Sequence, residues 1–281
     1  MIFLVTTLFG CVGKHPDINE KNSTFRIPAI RFPIVNRDGP EERHLYPISD
    51  SMENSVAVFA GKFKFSDSIN LSNSNDTSLQ KDKIKNFIFL DKYKDSMASD
   101  GFQIFTDYTK TVRDTSVPGP MERLFGNAYY PVFIVNETSS SKLLFAIEST
   151  VYVIQEAKDS NGVWRPIEYS PGGYWCGNSY WGLKVHPKEF VTILVAKHDG
   201  PYKTQIRVRV VVGDCVYISA PFEGTINYNK FRMKWWSHVH AYLMLDESST
   251  IERRFYGANV LYDRNSRAEK LYIALSKPTK R

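Results

Sequence analysis

The chain has 281 residues, with 36 Lys and Arg against 30 Asp and Glu, a net charge of +6, 42% hydrophobic residues and 23% charged ones. These proportions exclude a disordered or collagen-like chain, and the length allows one large or two modest domains. The positive excess is thinly spread and no run forms a nucleic-acid-binding arm, so nucleic acid is not expected as a partner.

The chain opens on MIFLVTTLFGC. The apolar run from Ile2 to Phe9 covers about eight residues, against the about 20 that a spanning helix needs. That length suits a signal-peptide core of about 7–15 residues, and equally a buried N-terminal strand. Leu8-Phe9-Gly10-Cys11 resembles the lipobox of bacterial lipoprotein precursors. The resemblance implies that residues 1–10 are a signal peptide and that Cys11 becomes the acylated N-terminus. It also implies a cell-envelope location, at the periplasmic or surface face of an outer membrane, with the membrane as partner through the anchor. Two or three acyl chains anchor a protein stably where one is marginal. The match departs from the family pattern at two points: no Lys or Arg precedes the run, and Phe9 is bulky for its slot.

Residues 11–50 are polar, proline-rich and turn-rich, as a lipidated tether should be. Residues 51–100 read as an irregular, partly β extension. Within it, SVAVFAGKFKF at 55–65 alternates as a strand does, SDSINLSNSNDTSLQKDK reads as a loop, and IKNFIFLDKYK reads as a strand or a short helix. Aromatic residues make up 14% of the chain and favour β structure. From Gly101 to about residue 232, short strand-like runs alternate with turn signals, which predicts an antiparallel β-sandwich. TQIRVRVVV shows the clearest period of two, with Ile206, Val208 and Val210 on one face and Arg207 and Arg209 on the other. Residues 233–281, with HVHAYLML, RRFYGANVLY and KLYIALS as strand candidates, are expected to extend the sandwich.

Over residues 129–232 the stretches YYPVFIVNET, YVIQEAKDSNGVWRPIEY, WCGNSYW and SAPFEGTIN resemble uncharacterised envelope lipoproteins of Bacteroidota. This resemblance covers about a third of the chain. It implies an immunoglobulin-like sandwich and names no catalytic residue. Asp50-Ser51-Met52, Asp67-Ser68-Ile69 and Asp95-Ser96-Met97 match the O-glycosylation pattern of such bacteria.

If Cys11 carries lipid, Cys176 and Cys215 remain, and they form either a disulfide or two free thiols. A bridge would close a loop of about 40 residues, worth about 3–4 kcal/mol. The loop GGYWCGNSYWG crowds Tyr174, Trp175, Tyr180 and Trp181 among glycines. With Trp164 and Asn178 these rings could stack on a sugar, or they could cap the sandwich core. His238-x-His240 would set two imidazoles on one strand face, and His186 and His198 flank a strand beside turn residues. No metal site and no cofactor are expected. Glu148, Glu156, Glu168 and Glu223 lie near strand ends, where they suit dispersed catalytic carboxylates or plain sheet-surface charges. No nucleophile-elbow, zinc-protease or phosphate-loop motif occurs.

The expectation is a lipid-anchored envelope protein with a non-catalytic binding or structural role toward a glycan or an envelope protein. The alternatives are a carbohydrate-binding accessory protein and a secreted hydrolase.

Overall fold

The computed structural model describes residues 34–36, 50–55, 57–65, 68–70, 81–85, 97, 100–113, 128–147, 150–170, 180–213, 215–234 and 237–261. In chain order the first strands are β1 (Ile34–Asn36), β2 (Glu53–Asn54), β3 (Ala57–Lys64), β4 (Ser68–Asn70), β5 (Lys83–Lys85), β6 (Phe102–Thr106) and β7 (Val112–Arg113). The middle ones are β8 (Ala128–Asn136), β9 (Lys142–Ile147), β10 (Thr150–Val151), β11 (Val153–Lys158), β12 (Trp164–Pro166) and β13 (Glu168–Tyr169). The last are β14 (Tyr180–Val185), β15 (Glu189–Ala196), β16 (Tyr202–Val212), β17 (Cys215–Ile218) and β18 (Phe222–Ile226). Helices α1 (His238–Leu245) and α2 (Glu247–Phe255) follow.

The protein is mainly β, with three antiparallel sheets carrying most of the strands. One runs β3-β15-β8-β6, with β7 also paired to β8. The second runs β10-β9-β14-β5, and the third β12-β11-β16-β17 with β18 sharing β16. Ile134 of β8, Ile193 of β15, Leu144 of β9, Leu183 of β14 and Val210 of β16 belong to one core. The faces of all three sheets therefore close on a common apolar interior, a layering compatible with a sandwich.

Every residue of β15 is buried, and every residue of β8 except Ala128. Their runs, EFVTILVA and AYYPVFIVN, are β-branched and aromatic along both faces, as a strand covered on both sides requires. Pro131 sits within β8, where a missing N–H would normally break the ladder. Here it falls at a gap between neighbours: β6 ends opposite Val132 and β7 begins opposite Tyr129. The Pro131 carbonyl, on that same side, accepts the Asp107 N–H at 3.0 Å. The proline thus removes a donor where no strand offers an acceptor. On the other flank, β3 carries a bulge: Gly61 faces Thr192 and Phe59 faces Ile193, leaving Ala60 over. Gly61 has φ +149°, and a Cβ there would lie 2.7 Å from the Phe63 ring.

The alternation of β16 is seen as expected: Ile206, Val208, Val210 and Val212 are buried while Arg207 and Arg209 are half-buried on the opposite face. Two expectations are corrected. β3 and β5 lie before residue 101 yet hydrogen-bond into the sheets, so the body does not begin at 101. In 233–281 the described residues from His238 to Phe255 form helices α1 and α2 where strands were expected. Ser237 caps α1 by accepting the His240 N–H, and Asp246 caps α2 by accepting the Ser249 N–H. Glu247 stands in the first turn of α2 and Arg253 and Arg254 in its last, each complementing the helix dipole. Tyr256, at φ 52°, then turns the chain out. Val239, Leu243 and Phe255 of this helical pair pack with Ile154 of β11 and Met52.

Candidate functional site

Three polar groupings are held by the sheets. The first ties the layers together. Gln155 of β11 lies opposite Val208, on the core side of its strand. Its side-chain amide donates to the Glu168 carboxylate at 3.0 Å and to the Ala196 carbonyl at 2.8 Å. The His198 Nε2 is 2.8 Å from the same carboxylate. Both side chains of that pair are almost sealed, at 3% and 5% exposure. With its Nε2–H given to Glu168, His198 leaves Nδ1 buried and without a hydrogen-bond partner among the described residues. Nearby, burial pulls the Lys230 ammonium below its ordinary pKa, against the negative charge of Glu168, Glu53 and Asp50.

The second lies on the outer face of β11 and β16. Glu156 sits directly opposite Arg207 and accepts from its Nε at 2.8 Å and from Arg209 at 3.3 Å. Arg209 also donates to the Tyr256 carbonyl at 3.2 Å, beneath the end of α2. The Arg207 guanidinium stacks 4.1 Å from the Trp164 ring centroid, and Lys158, across the β11–β12 pair, lies 5.3 Å from it.

The third is the most open to solvent. Strand β14 runs antiparallel to both β9 and β5, with Val185 opposite Lys142 and Leu183 opposite Lys83. The residues just beyond these pairs, Ser141, His186 and Asp82, are thereby brought to one sheet end. Ser141 Oγ is 2.9 Å from His186 Nδ1, and His186 Nε2 is 3.1 Å from Asp82 Oδ1. The other Asp82 oxygen accepts from Lys62 Nζ at 2.6 Å. Lys62 also donates to Glu189 at 2.8 Å, and Glu189 accepts the His186 backbone N–H at 2.8 Å. The contacts close a ring through His186, Asp82, Lys62 and Glu189. Lys62 is buried within it, at 3% side-chain exposure, while the imidazole is 42% exposed.

Partial burial works to raise the Asp82 pKa, but hydrogen bonds from Lys62 and His186 and the positive charge of Lys62 outweigh it, so this carboxyl lies below its ordinary value. A depressed folded-state pKa contributes stability above the unfolded value, about 3.9, and that stability is lost as the pH falls through the folded value. We expect the urea midpoint to drop between about pH 5 and pH 2, and Lys62→Met to flatten that slope. An unchanged slope in the variant would show that Lys62 does not hold Asp82 charged.

Of the other residues singled out in the sequence, Trp181 is 5% exposed and belongs to the core, edge-on to Phe59 at 5.4 Å. Trp164 is half-buried between its two cations. Tyr180 starts β14, while Tyr174, Trp175, Cys176 and Asn178 lie outside the described residues, as do Cys11 and Glu148. Cys215 is a free, half-buried thiol. Glu223 is exposed on β18, whereas Glu156 and Glu168 are buried. His238 and His240 are two positions apart on a helix rather than a strand, which turns them to different sides. His238 is exposed beside the Tyr169 and Tyr242 rings, and His240 is buried. Among the described residues no group of three or more His, Cys, Asp or Glu side chains could hold a metal ion.

Sequence reading flagged His186 only as a histidine beside a turn. Ser141 and Asp82 gave no local signal, because their partner is 45 and 104 residues away. No family model, curated protein sequence or solved structure matches the chain.

Proposed function

We propose that the protein is a lipid-anchored cell-envelope protein whose β-sheet body serves a binding or structural role at the membrane. The observation that carries this reading is Leu8-Phe9-Gly10-Cys11 followed by a polar, proline-rich stretch. A cysteine acylated at the new N-terminus would hold the body by several chains, and residues 11–50 would give it reach. No helix among the described residues is long and apolar enough to cross a membrane. In this reading the lipid is the attachment to the membrane.

The carboxylates suit support rather than paired acid–base work. Glu156 is shared by two guanidiniums and Glu168 is sealed against His198 and Gln155. A hydrolase that uses two carboxylates needs both at one accessible place.

Intact-mass spectrometry of membrane-extracted protein tests the anchor. The expected spectrum lacks residues 1–10 and carries added acyl mass, and Cys11→Ser leaves the precursor uncut and free of lipid. A soluble wild-type chain that keeps Met1 would overturn the reading.

A further inference from the structure

We propose that Ser141 is a nucleophile activated by His186, and that this sheet end carries an acyl-ester hydrolase activity. The proposal goes beyond the anchoring reading and does not depend on it.

Three observations carry it. The first is the sequence of contacts. Asp82 is held ionised by Lys62, so it accepts from His186 Nε2–H at 3.1 Å. That fixes the tautomer and leaves the Nδ1 lone pair to accept from Ser141 Oγ–H at 2.9 Å. A nucleophile within reach of a base, itself oriented by a third group, is the arrangement that activates a hydroxyl.

The second is rigidity. His186 is fixed at two points, its ring by Asp82 and its backbone N–H by Glu189 at 2.8 Å. The chain before Ser141 is fixed as well. The buried Asn136 side chain donates to the Ser140 carbonyl at 2.9 Å and the Val185 carbonyl at 2.8 Å. Thr138 Oγ1 donates to Asn136 Oδ1 at 2.7 Å. Just beyond the imidazole, Lys188 takes φ 61°, the left-handed region that non-glycine residues rarely adopt and that clusters at functional sites. Its N–H donates to the Asn136 carbonyl at 3.1 Å, so both sides of the site hang from one asparagine.

The third is access. Ser141 is half-buried and His186 is 42% exposed, so an ester can meet both. The other two polar groupings bury their histidine or carboxylate.

The chemistry balances without a metal or a redox partner. Ser141 Oγ attacks the ester carbonyl carbon, its proton passes to His186 Nδ1, and the alkoxy C–O bond breaks as the leaving oxygen takes that proton. Water then attacks the acyl-serine, giving its proton to Nδ1, and the acid leaves as Oγ recovers the proton. Asp82 is a positioning residue. Because its charge is shared with Lys62, it stabilises the imidazolium less than an unshared carboxylate would, and turnover should be slow.

The full chain, treated with a fluorophosphonate probe and digested, tests this. The expected result is probe mass on the Ser141 peptide, lost in Ser141→Ala, and a labelling rate about 100-fold lower in His186→Ala. His186→Gln keeps much of the size and a polar end, so it preserves the fold if the alanine does not, and it should lose labelling equally. With p-nitrophenyl acetate as substrate, Asp82→Asn should lower kcat with little change in KM, and Asp82→Glu should restore part of the loss. Labelling no greater than in Ser141→Ala, or labelling that folded His186 variants retain, would overturn the proposal.

Discussion

Glu156→Gln should cost the fold about 3 kcal/mol, because it leaves two guanidiniums enclosed without their shared counter-charge. Glu156 is 1% exposed, and the Arg207 and Arg209 side chains are 15% and 11% exposed. Water therefore cannot replace the lost carboxylate well. The pair also has a geometric role. Glu156 faces Arg207 across the β11–β16 ladder, while Arg209 fastens the same ladder to the end of α2 through Tyr256. Loss of the carboxylate should thus loosen the helical pair as well as the strands. Urea unfolding of the variant measures the cost. The control is the triple change Glu156→Leu with Arg207→Met and Arg209→Met, which removes all the charges together and should recover most of the stability. A single variant as stable as wild type would mean that the arginines find other partners.

Phe133→Ala should destabilise by a comparable amount, about 3–5 kcal/mol. Phe133 is 1% exposed at the middle of β8 and meets the Phe190 ring edge-on, with centroids 5.8 Å apart. It shares a cluster with Ile69, Phe105 and Val135 on the face of the sheet turned away from the common interior. Neighbours on two adjacent strands hold this face in register, so it cannot collapse far into the void. Against a total stability of about 5–15 kcal/mol for a folded domain, either substitution removes a large share. The measurement is the shift in urea midpoint at unchanged slope. A loss below about 1 kcal/mol would show that this second apolar face contributes little.

The parts of the fold that could be read locally were those whose periodicity is simple. β16 displays a strict period of two because one side meets the interior and the other carries arginines to Glu156. β3, β8 and β15 were legible as strands for their β-branched and aromatic content. The helices were misread because the two histidines of HVHAYLML alternate with apolar residues at its start and the rest of the run has no polar face to reveal its period. Their signal lay in the caps: Ser237 and Asp246 before each run, acid in the first turn of α2 and arginine in its last.

The sites were harder. Trp181 was read within an aromatic loop that could stack on a sugar or cap the core; it is the second residue of β14 and belongs to the core. Glu156 and Glu168 were seen as strand-end charges, but the partners that neutralise them come from other strands. Asp82, Ser141 and His186 are assembled by the order β9-β14-β5, and no local pattern announces which strand ends will be neighbours.

The bond between Lys62 and Glu189 spans 127 residues of chain. Among the described residues strand β3 forms its ladder with β15 alone, which follows after nearly half the polypeptide, and closing so distant a pair is entropically slow. A fragment ending before β15 would carry an unsatisfied ribbon of amides and carbonyls, a ready template for self-association. During synthesis the β3 edge should therefore stay open until β15 has been made, and their pairing should be a late step of folding.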